Sequence, residues 1–168
     1  MKIYLGCDLF TEGQRMQAIF IQRKLEEKIK DVEVYNPADN MDINDKEAGF
    51  SFNYEILLAD YKRLKEADIL IGLMDTKDLG LAAEMGIAFE RGIPIFQLYT
   101  DIRLEGSDKK DKLDEMSKDI FQNDFLYINK LVTGLSYADK AENIFKRPRI
   151  FQKKEDLIEA LVEYVKNI

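Results

Sequence analysis

The chain predicts an α/β domain: a doubly wound parallel sheet with helices on both faces. Three observations carry this. Short apolar runs alternate with longer stretches of helical periodicity. One of those runs, Ile69-Leu70-Ile71-Gly72-Leu73-Met74, contains no polar residue and reads as a buried strand. The length of 168 residues, 46% of them hydrophobic, suits one core, so residues 1–168 form a single domain.

In chain order, residues 2–6 read as the first strand. Residues 12–30 read as an amphipathic helix with Met16, Ile19, Phe20, Leu25 and Ile29 on its apolar side and Thr11 as its N-cap. Val32-Glu33-Val34-Tyr35 is a second strand, ended by Asn36-Pro37. Residues 38–52, rich in Asp and Asn, read as a loop. Helical periodicity returns over 53–67 through Ile56, Leu57, Tyr61 and Leu64. Strand three spans 68–74, and a helix follows over 80–91 with Gly92 as its C-cap. Ile93–Tyr99 is the fourth strand, and 154–166 a final helix through Leu157, Leu161, Val162 and Val165. Strands separated by helices imply βαβ units with right-handed crossovers, and so a flavodoxin-like arrangement. Residues 101–125 are the least regular part and read as a solvated insertion or a short surface helix around the charge run Ser107–Lys112.

Composition removes several functions. A net charge of −7 argues against nucleic acid and anionic membrane as partners. The single cysteine excludes a disulfide framework and a multi-cysteine metal site. There is no apolar run of about 18 residues to span a membrane, and the chain runs straight into a strand pattern with no signal peptide, so the expected location is the cytoplasm. Histidine is absent, so Ser-His-Asp and Cys-His catalysis are unavailable and zinc loses its usual ligand. Acid–base chemistry falls to carboxylates, Tyr, Lys or Cys with shifted pKa values. The 32 Asp and Glu residues offer many candidates.

The most telling segment is 75–92. Glu84 lies in a helix whose other residues include Leu81, Ala82, Met85, Ile87, Ala88 and Phe89, and Asp75 and Asp78 stand at the strand exit before it. Open α/β sheets bind ligands at the carboxyl ends of their strands. A carboxylate there is either partly desolvated, as nucleophiles and general bases are, or a solvated residue on the helix flank. The first loop, Gly6 to Gln14, has neither a Gly-x-Gly-x-x-Gly nor a Walker pattern, so classical dinucleotide and P-loop phosphate binding are unsupported. In that loop Phe10 is either a stacking platform for a planar ligand or core, Asp8 is catalytic or a turn residue, and Cys7 reads as a small buried residue ahead of a nucleophile. Asp60 lies within the second helix, where periodicity favours solvent, and Asp68 reads as a cap of strand three.

Four segments together resemble the nucleoside 2-deoxyribosyltransferases. They are Ile3-Tyr4-Leu5-Gly6 with Leu9-Phe10-Thr11; Asp60 with the run Leu64 to Gly72; the string Asp78-x-Gly80-x-x-x-Glu84-x-Gly86; and Leu126-Tyr127-Ile128-Asn129. The likeness covers residues 1–100 well and the remainder in patches. It implies roles for individual residues. Glu84 matches a nucleophile that forms a covalent deoxyribosyl ester. Asp78 and Asp60 match acids that meet the nucleobase, one of them protonating it as it leaves. Tyr4 matches a tyrosine that hydrogen-bonds the nucleophile. Asn129 matches a sugar contact donated across a subunit interface, and Phe10, Gly6 and Met41 fall on the substrate side, Met41 where family members can carry a base-contacting Gln.

The activity so implied is transfer of 2-deoxyribose between purine or pyrimidine bases with retention at C1′, which takes two displacements. The substrates are a deoxynucleoside and a free nucleobase. No metal or organic cofactor is required, and the active form is a homo-oligomer, hexamer or dimer, with shared sites. Two alternatives stand beside this. One is a 2′-deoxynucleoside (5′-phosphate) N-hydrolase, although the relatives that bind a 5′-phosphate carry Ser, Arg and Gly in the first loop, where this chain has Cys7, Asp8 and Glu12. The other is a non-catalytic nucleotide-binding module.

Overall fold

A computed structural model describes residues 1–39, 52–102, 118, 129–138 and 148–168. Five parallel strands form one sheet: β1 (Lys2–Gly6), β2 (Glu33–Tyr35), β3 (Ile69–Leu73), β4 (Ile95–Leu98) and β5 (Ile150–Phe151), in the order β2-β1-β3-β4-β5. This is the doubly wound, flavodoxin-like order, whose switch point lies between β1 and β3. The sheet expected from four strands therefore has a fifth. β5 is two residues long, too short for an alternation pattern to reveal.

Side chains alternate across the sheet with the period of two that strands impose. Ile3, Leu5, Ile69, Ile71, Leu73, Phe96 and Leu98 face α1 (Glu12–Lys28) and the C-terminal helix. Tyr4, Leu70 and Ile95 face α2 (Asn53–Glu66) and α3 (Leu79–Glu90). A short helix, α4 (Lys130–Gly134), precedes β5, and α5 (Lys154–Lys166) closes the first layer with Leu157, Ile158 and Leu161. Gln97, fully buried in β4, ties α4 to the sheet by donating from Nε2 to the Val132 carbonyl at 2.7 Å, and accepts from the Tyr99 hydroxyl at 2.8 Å.

Local signals account for the helix ends. Thr11 caps α1, its hydroxyl oxygen accepting the Gln14 N–H at 3.3 Å. Gly92 follows α3 at φ 70°, the left-handed conformation that glycine takes without strain, and its N–H donates to the Phe89 carbonyl at 2.9 Å. Asp68 accepts the Lys2 N–H at 2.8 Å and so pins the start of β1 beside β3.

The apolar face expected for α1 requires correction. Leu25 and Ile29 are buried, but Met16 and Phe20 are exposed, and Ala18 and Ile21 complete the inward stripe. The small Ala18 lets the helix sit close to the sheet, so residue size rather than summed hydrophobicity sets its rotation. Among the described residues no helix is long and apolar enough to cross a membrane.

Candidate active site

The sheet's carboxyl edge brings Tyr4, Gly6, Asp60, Asp78 and Glu84 into one cluster. Tyr4 rises from the interior of β1, fully buried, and its hydroxyl donates to Glu84 Oε1 at 2.9 Å. Its ring packs on Tyr35 with centroids 5.2 Å apart. Packing on both sides leaves the phenol little rotational freedom, so the oxygen that meets Glu84 is fixed by the core.

Glu84 reaches the strand because two strand-end glycines admit its helix. Gly6 and Gly72 are register partners on β1 and β3. A Cβ on Gly6 would lie 2.4 Å from Leu81 Cδ1 and 3.1 Å from Glu84 Oε2, and one on Gly72 would lie 3.3 Å from Met85 Sδ. Helix α3 therefore rests on backbone at this point, and the second carboxylate oxygen of Glu84 lies against Gly6. Gly6 fell on the substrate side through the resemblance, whereas Gly72 carries no pattern of its own and meets Gly6 only once β1 and β3 align in register.

Asp78 is the N-cap of α3, its Oδ1 accepting the Leu81 N–H at 2.6 Å. A carboxylate suits that position because the helix N-terminus carries partial positive charge. Its Oδ2 is the oxygen left for other work. Asp60 is half-buried on the inward side of α2, which corrects the solvent-facing orientation that periodicity favoured. It shares the Tyr4 hydroxyl's influence with Glu84.

The electrostatics follow from burial. Loss of water pushes Glu84 up to about 8; the Tyr4 hydrogen bond opposes this, and the charges of Asp60 and Asp78 add to it. Burial also raises Asp60, against the same Tyr4 hydroxyl. Tyr4 moves up through burial first and the Glu84 charge second, so it stays a donor. Cys7 is pushed up to about 12 by burial and then by Glu84, Asp8 and Asp78. It remains a thiol near neutrality in its half-buried place.

The other candidates resolve differently. Asp8 is a turn residue, accepting the Phe10 N–H at 2.8 Å. Phe10 is 80% exposed, so it is not core, and its ring is open to a ligand or a partner. Asp75 spends both oxygens on Thr100, accepting its N–H and its hydroxyl, and ties the exits of β3 and β4 together. Asn129 is exposed and caps α4 by accepting from the N–H groups of Leu131 and Val132 at 3.0 and 3.3 Å. Met41 lies outside the described residues, as do Leu126, Tyr127 and Ile128 and nearly all of 101–125. Arg15, which sequence reasoning passed over, braces the first loop by donating to the Leu9 carbonyl at 2.8 Å. No group of His, Cys, Asp or Glu among the described residues is arranged to hold a metal ion.

A parallel sheet of this order, carrying a half-buried carboxylate and two further acids at its carboxyl edge, defines an α/β domain with an acidic site at the position where such sheets work on ligands. Residues 3–131 match the nucleoside 2-deoxyribosyltransferase family, and the chain belongs to it. Membership makes it an enzyme of the class that acts on nucleosides. No curated protein sequence matches it. Among solved structures it is similar to a conserved protein from Enterococcus faecalis V583, with 32% identity, 97% and 98% of the two chains covered, and a TM-score of 0.75. It is also similar to a 2-deoxyribosyltransferase from the psychrotolerant Bacillus psychrosaccharolyticus, at 21% identity, 96% of each chain and TM-score 0.61. A CMP N-glycosidase from Clostridium botulinum matches at 18% identity, 98% and 99% coverage and TM-score 0.55. These last two likenesses speak for the fold.

Proposed function

We propose that the chain transfers 2-deoxyribose between nucleobases by a retaining double displacement in which Glu84 is the nucleophile. The observation that supports this most is the Glu84 carboxylate itself: half-buried, held by the Tyr4 hydroxyl at 2.9 Å, and facing two more acids.

In the first step a Glu84 oxygen bonds to C1′ as the C1′–N bond breaks. The bonding pair leaves with the base nitrogen, which takes a proton from Asp78 or Asp60. In the second step the nitrogen of an incoming base attacks C1′, the ester bond breaks, and Glu84 recovers its carboxylate while the incoming base's proton returns to the acid. A nucleobase leaves poorly until protonated, and burial makes this cluster retain a proton near neutrality. Glu84 attacks in its ionised form while the acid partner gives its proton to the base, so the anion stabilises the oxocarbenium-like transition state as C1′ becomes electron-poor. A 2′-hydroxyl would withdraw electrons from that cation, which favours deoxy substrates. Phe10 supplies a ring for the base to stack on. Asn129 of a neighbouring copy, its Oδ1 occupied in capping α4, has its amide N–H groups for the sugar.

Incubation with deoxyinosine and adenine tests the reaction. Transfer yields deoxyadenosine and hypoxanthine; free deoxyribose with hypoxanthine means hydrolysis instead; no product returns the chain to a binding role. Glu84→Ala abolishes exchange, a loss of at least about 10³-fold, as for a nucleophile acting in a unit with its partners. Near-normal exchange by this variant overturns the assignment, as does failure to trap an adduct on Glu84. Sharing of sites is read by mixing inactive Glu84→Ala and Asn129→Ala subunits: activity returns if the two residues come from different copies, and stays absent if they do not.

A further inference from the structure

Gln97 is the one polar residue of β4, and it is fully buried. Its register partners, Gly72 on β3 and Ile150 on β5, offer it no polar side chain. A methionine of similar length would fill the space without the cost of taking an amide out of water. Packing alone therefore gives no reason for glutamine at this point. Its hydrogen bonds do. Nε2 donates to the Val132 carbonyl at 2.7 Å, and Oε1 accepts from the Tyr99 hydroxyl at 2.8 Å. A carbonyl can only accept, so Val132 decides which end of the amide faces α4, and Tyr99 satisfies the other end.

Helix α4 needs such an anchor, because five residues do not hold a helix without tertiary contacts. Val132 and Leu135 pack partly buried against the core on this side of the sheet. Apolar packing is non-directional, whereas a hydrogen bond has a set length and angle. The anchor is passed on to the start of the helix. Thr133 follows Val132 and is buried, and its hydroxyl donates to the Asn129 carbonyl at 2.8 Å. The Thr133 N–H meets the same oxygen at 2.9 Å. Asn129 Oδ1 is held in turn by the Leu131 and Val132 N–H groups. Both carbonyls of Asn129 thus belong to the helix, so its amide N–H groups go wherever Gln97 sets α4.

We propose that Gln97 and Thr133 are positioning residues for Asn129. Gln97 sets the place of α4 on the sheet, and Thr133 ties the Asn129 backbone to α4. Together they fix where the Asn129 amide meets the sugar in a neighbouring copy's site. This deepens the role proposed for Asn129 and rests on it. Two consequences distinguish it from simple bracing of the fold. The loss on substitution falls on the sugar-bearing substrate, because adenine arrives when the sugar is already bound to Glu84 and a uniform loss of sugar binding leaves that step alone. The loss also travels with the copy that donates Asn129, not with the copy that supplies Glu84.

The test uses the full chain with deoxyinosine and adenine. Gln97→Met and Thr133→Val keep the shape of each side chain and remove its polar contact. In each, kcat/KM for deoxyinosine falls about 10-fold, the size of one misplaced hydrogen bond, and kcat/KM for adenine changes less than about 2-fold. Thr133→Ser keeps the hydroxyl and stays near the wild type. If Gln97→Met lowers the melting temperature, Thr133→Val and its serine counterpart carry the test. Subunit mixing reads the second consequence at low deoxyinosine. Adding inactive Glu84→Ala subunits raises the activity of Gln97→Met, because some sites then combine an intact Glu84 with an Asn129 held by an intact Gln97. Adding Asn129→Ala subunits does not raise it. Equal losses for both substrates overturn the proposal, as does a Thr133→Ser variant as impaired as Thr133→Val. So does mixing in which Asn129→Ala is rescued by Glu84→Ala and Gln97→Met is not. Normal exchange by Asn129→Ala removes the role of Asn129 and this inference with it; impaired exchange there beside normal Gln97→Met and Thr133→Val removes this inference alone.

Discussion

Replacing Glu84 by Gln tests the electrostatics of the site without requiring a substrate. Gln keeps the shape and an amide oxygen to accept from the Tyr4 hydroxyl, which lies 2.9 Å from Oε1. It removes only the ability to ionise. Burial raises Glu84 from 4.5 to about 8 in the folded chain. Because the folded value lies above the unfolded one, the fold bears no penalty below about pH 4.5, loses stability as pH rises from there, and has lost all of it above about pH 8. At 1.36 kcal/mol per pKa unit the ceiling is about 5 kcal/mol. Asp60 and Tyr4 are coupled to this titration and water relaxes around the partly open carboxylate, so about 2 kcal/mol is expected. In a domain of this length that corresponds to roughly 4–8 °C in Tm. The assay is thermal unfolding of wild type and Glu84→Gln between pH 5 and 9. Their Tm values lie close together at pH 5, and the variant is the more stable at pH 9. A Tm difference that stays constant across this range would refute the reasoning, because it would mean that Glu84 titrates alike in folded and unfolded chains.

Three further outcomes follow from the same geometry. Tyr4→Phe removes the bond that holds Glu84 down, so the acid limb of the exchange rate moves to higher pH by about one unit; a pH–rate profile checks this, and an unmoved limb counts against the contact's role. Asp78→Asn keeps the cap on α3, since Asn is an equally good N-cap, but lowers the exchange rate; Asp60→Asn flattens the alkaline limb of the profile, and a normal rate in the first with an unchanged profile in the second excludes these acids as proton donors. Gly6→Ala places a methyl 2.4 Å from Leu81 Cδ1, which lifts α3, lowers Tm by several degrees and cuts kcat more than it raises KM; a variant with normal Tm and kcat would show that the helix does not depend on that close approach.

The sheet was legible wherever strands were long or wholly apolar. β3 is buried at every position and was unmistakable, whereas β5 offered two half-buried residues between Arg149 and Gln152. Glu84 and Asp78 were accessible from sequence because both lie on a strand–helix junction whose position the apolar run fixes. Asp60 was named through the resemblance, but its inward orientation was not legible, because periodicity assigns one inward face to a helix and α2 has two apolar faces with the acid beside one of them. The orientation of α1 was misjudged for a related reason: Met16 and Phe20 weigh more in a hydrophobic count than Ala18, yet the close-packed side of a helix selects for small residues. The glycine pair was invisible because its partners are adjacent only after β1 and β3 have aligned in register.

That pair separates reactivity from recognition. The depth of Glu84 is set by backbone at Gly6 and Gly72, and its orientation by a phenol rooted in the core. Phe10, by contrast, projects from a loop braced by Asp8 and Arg15. If Phe10 stacks on the base as proposed, the loop can exchange its side chains, and with them the bases it accepts, while the carboxylate keeps its place and its proton affinity. Redesign of substrate preference in this scaffold thus has a clear division of labour: alter the loop, and leave the two strand ends as they are.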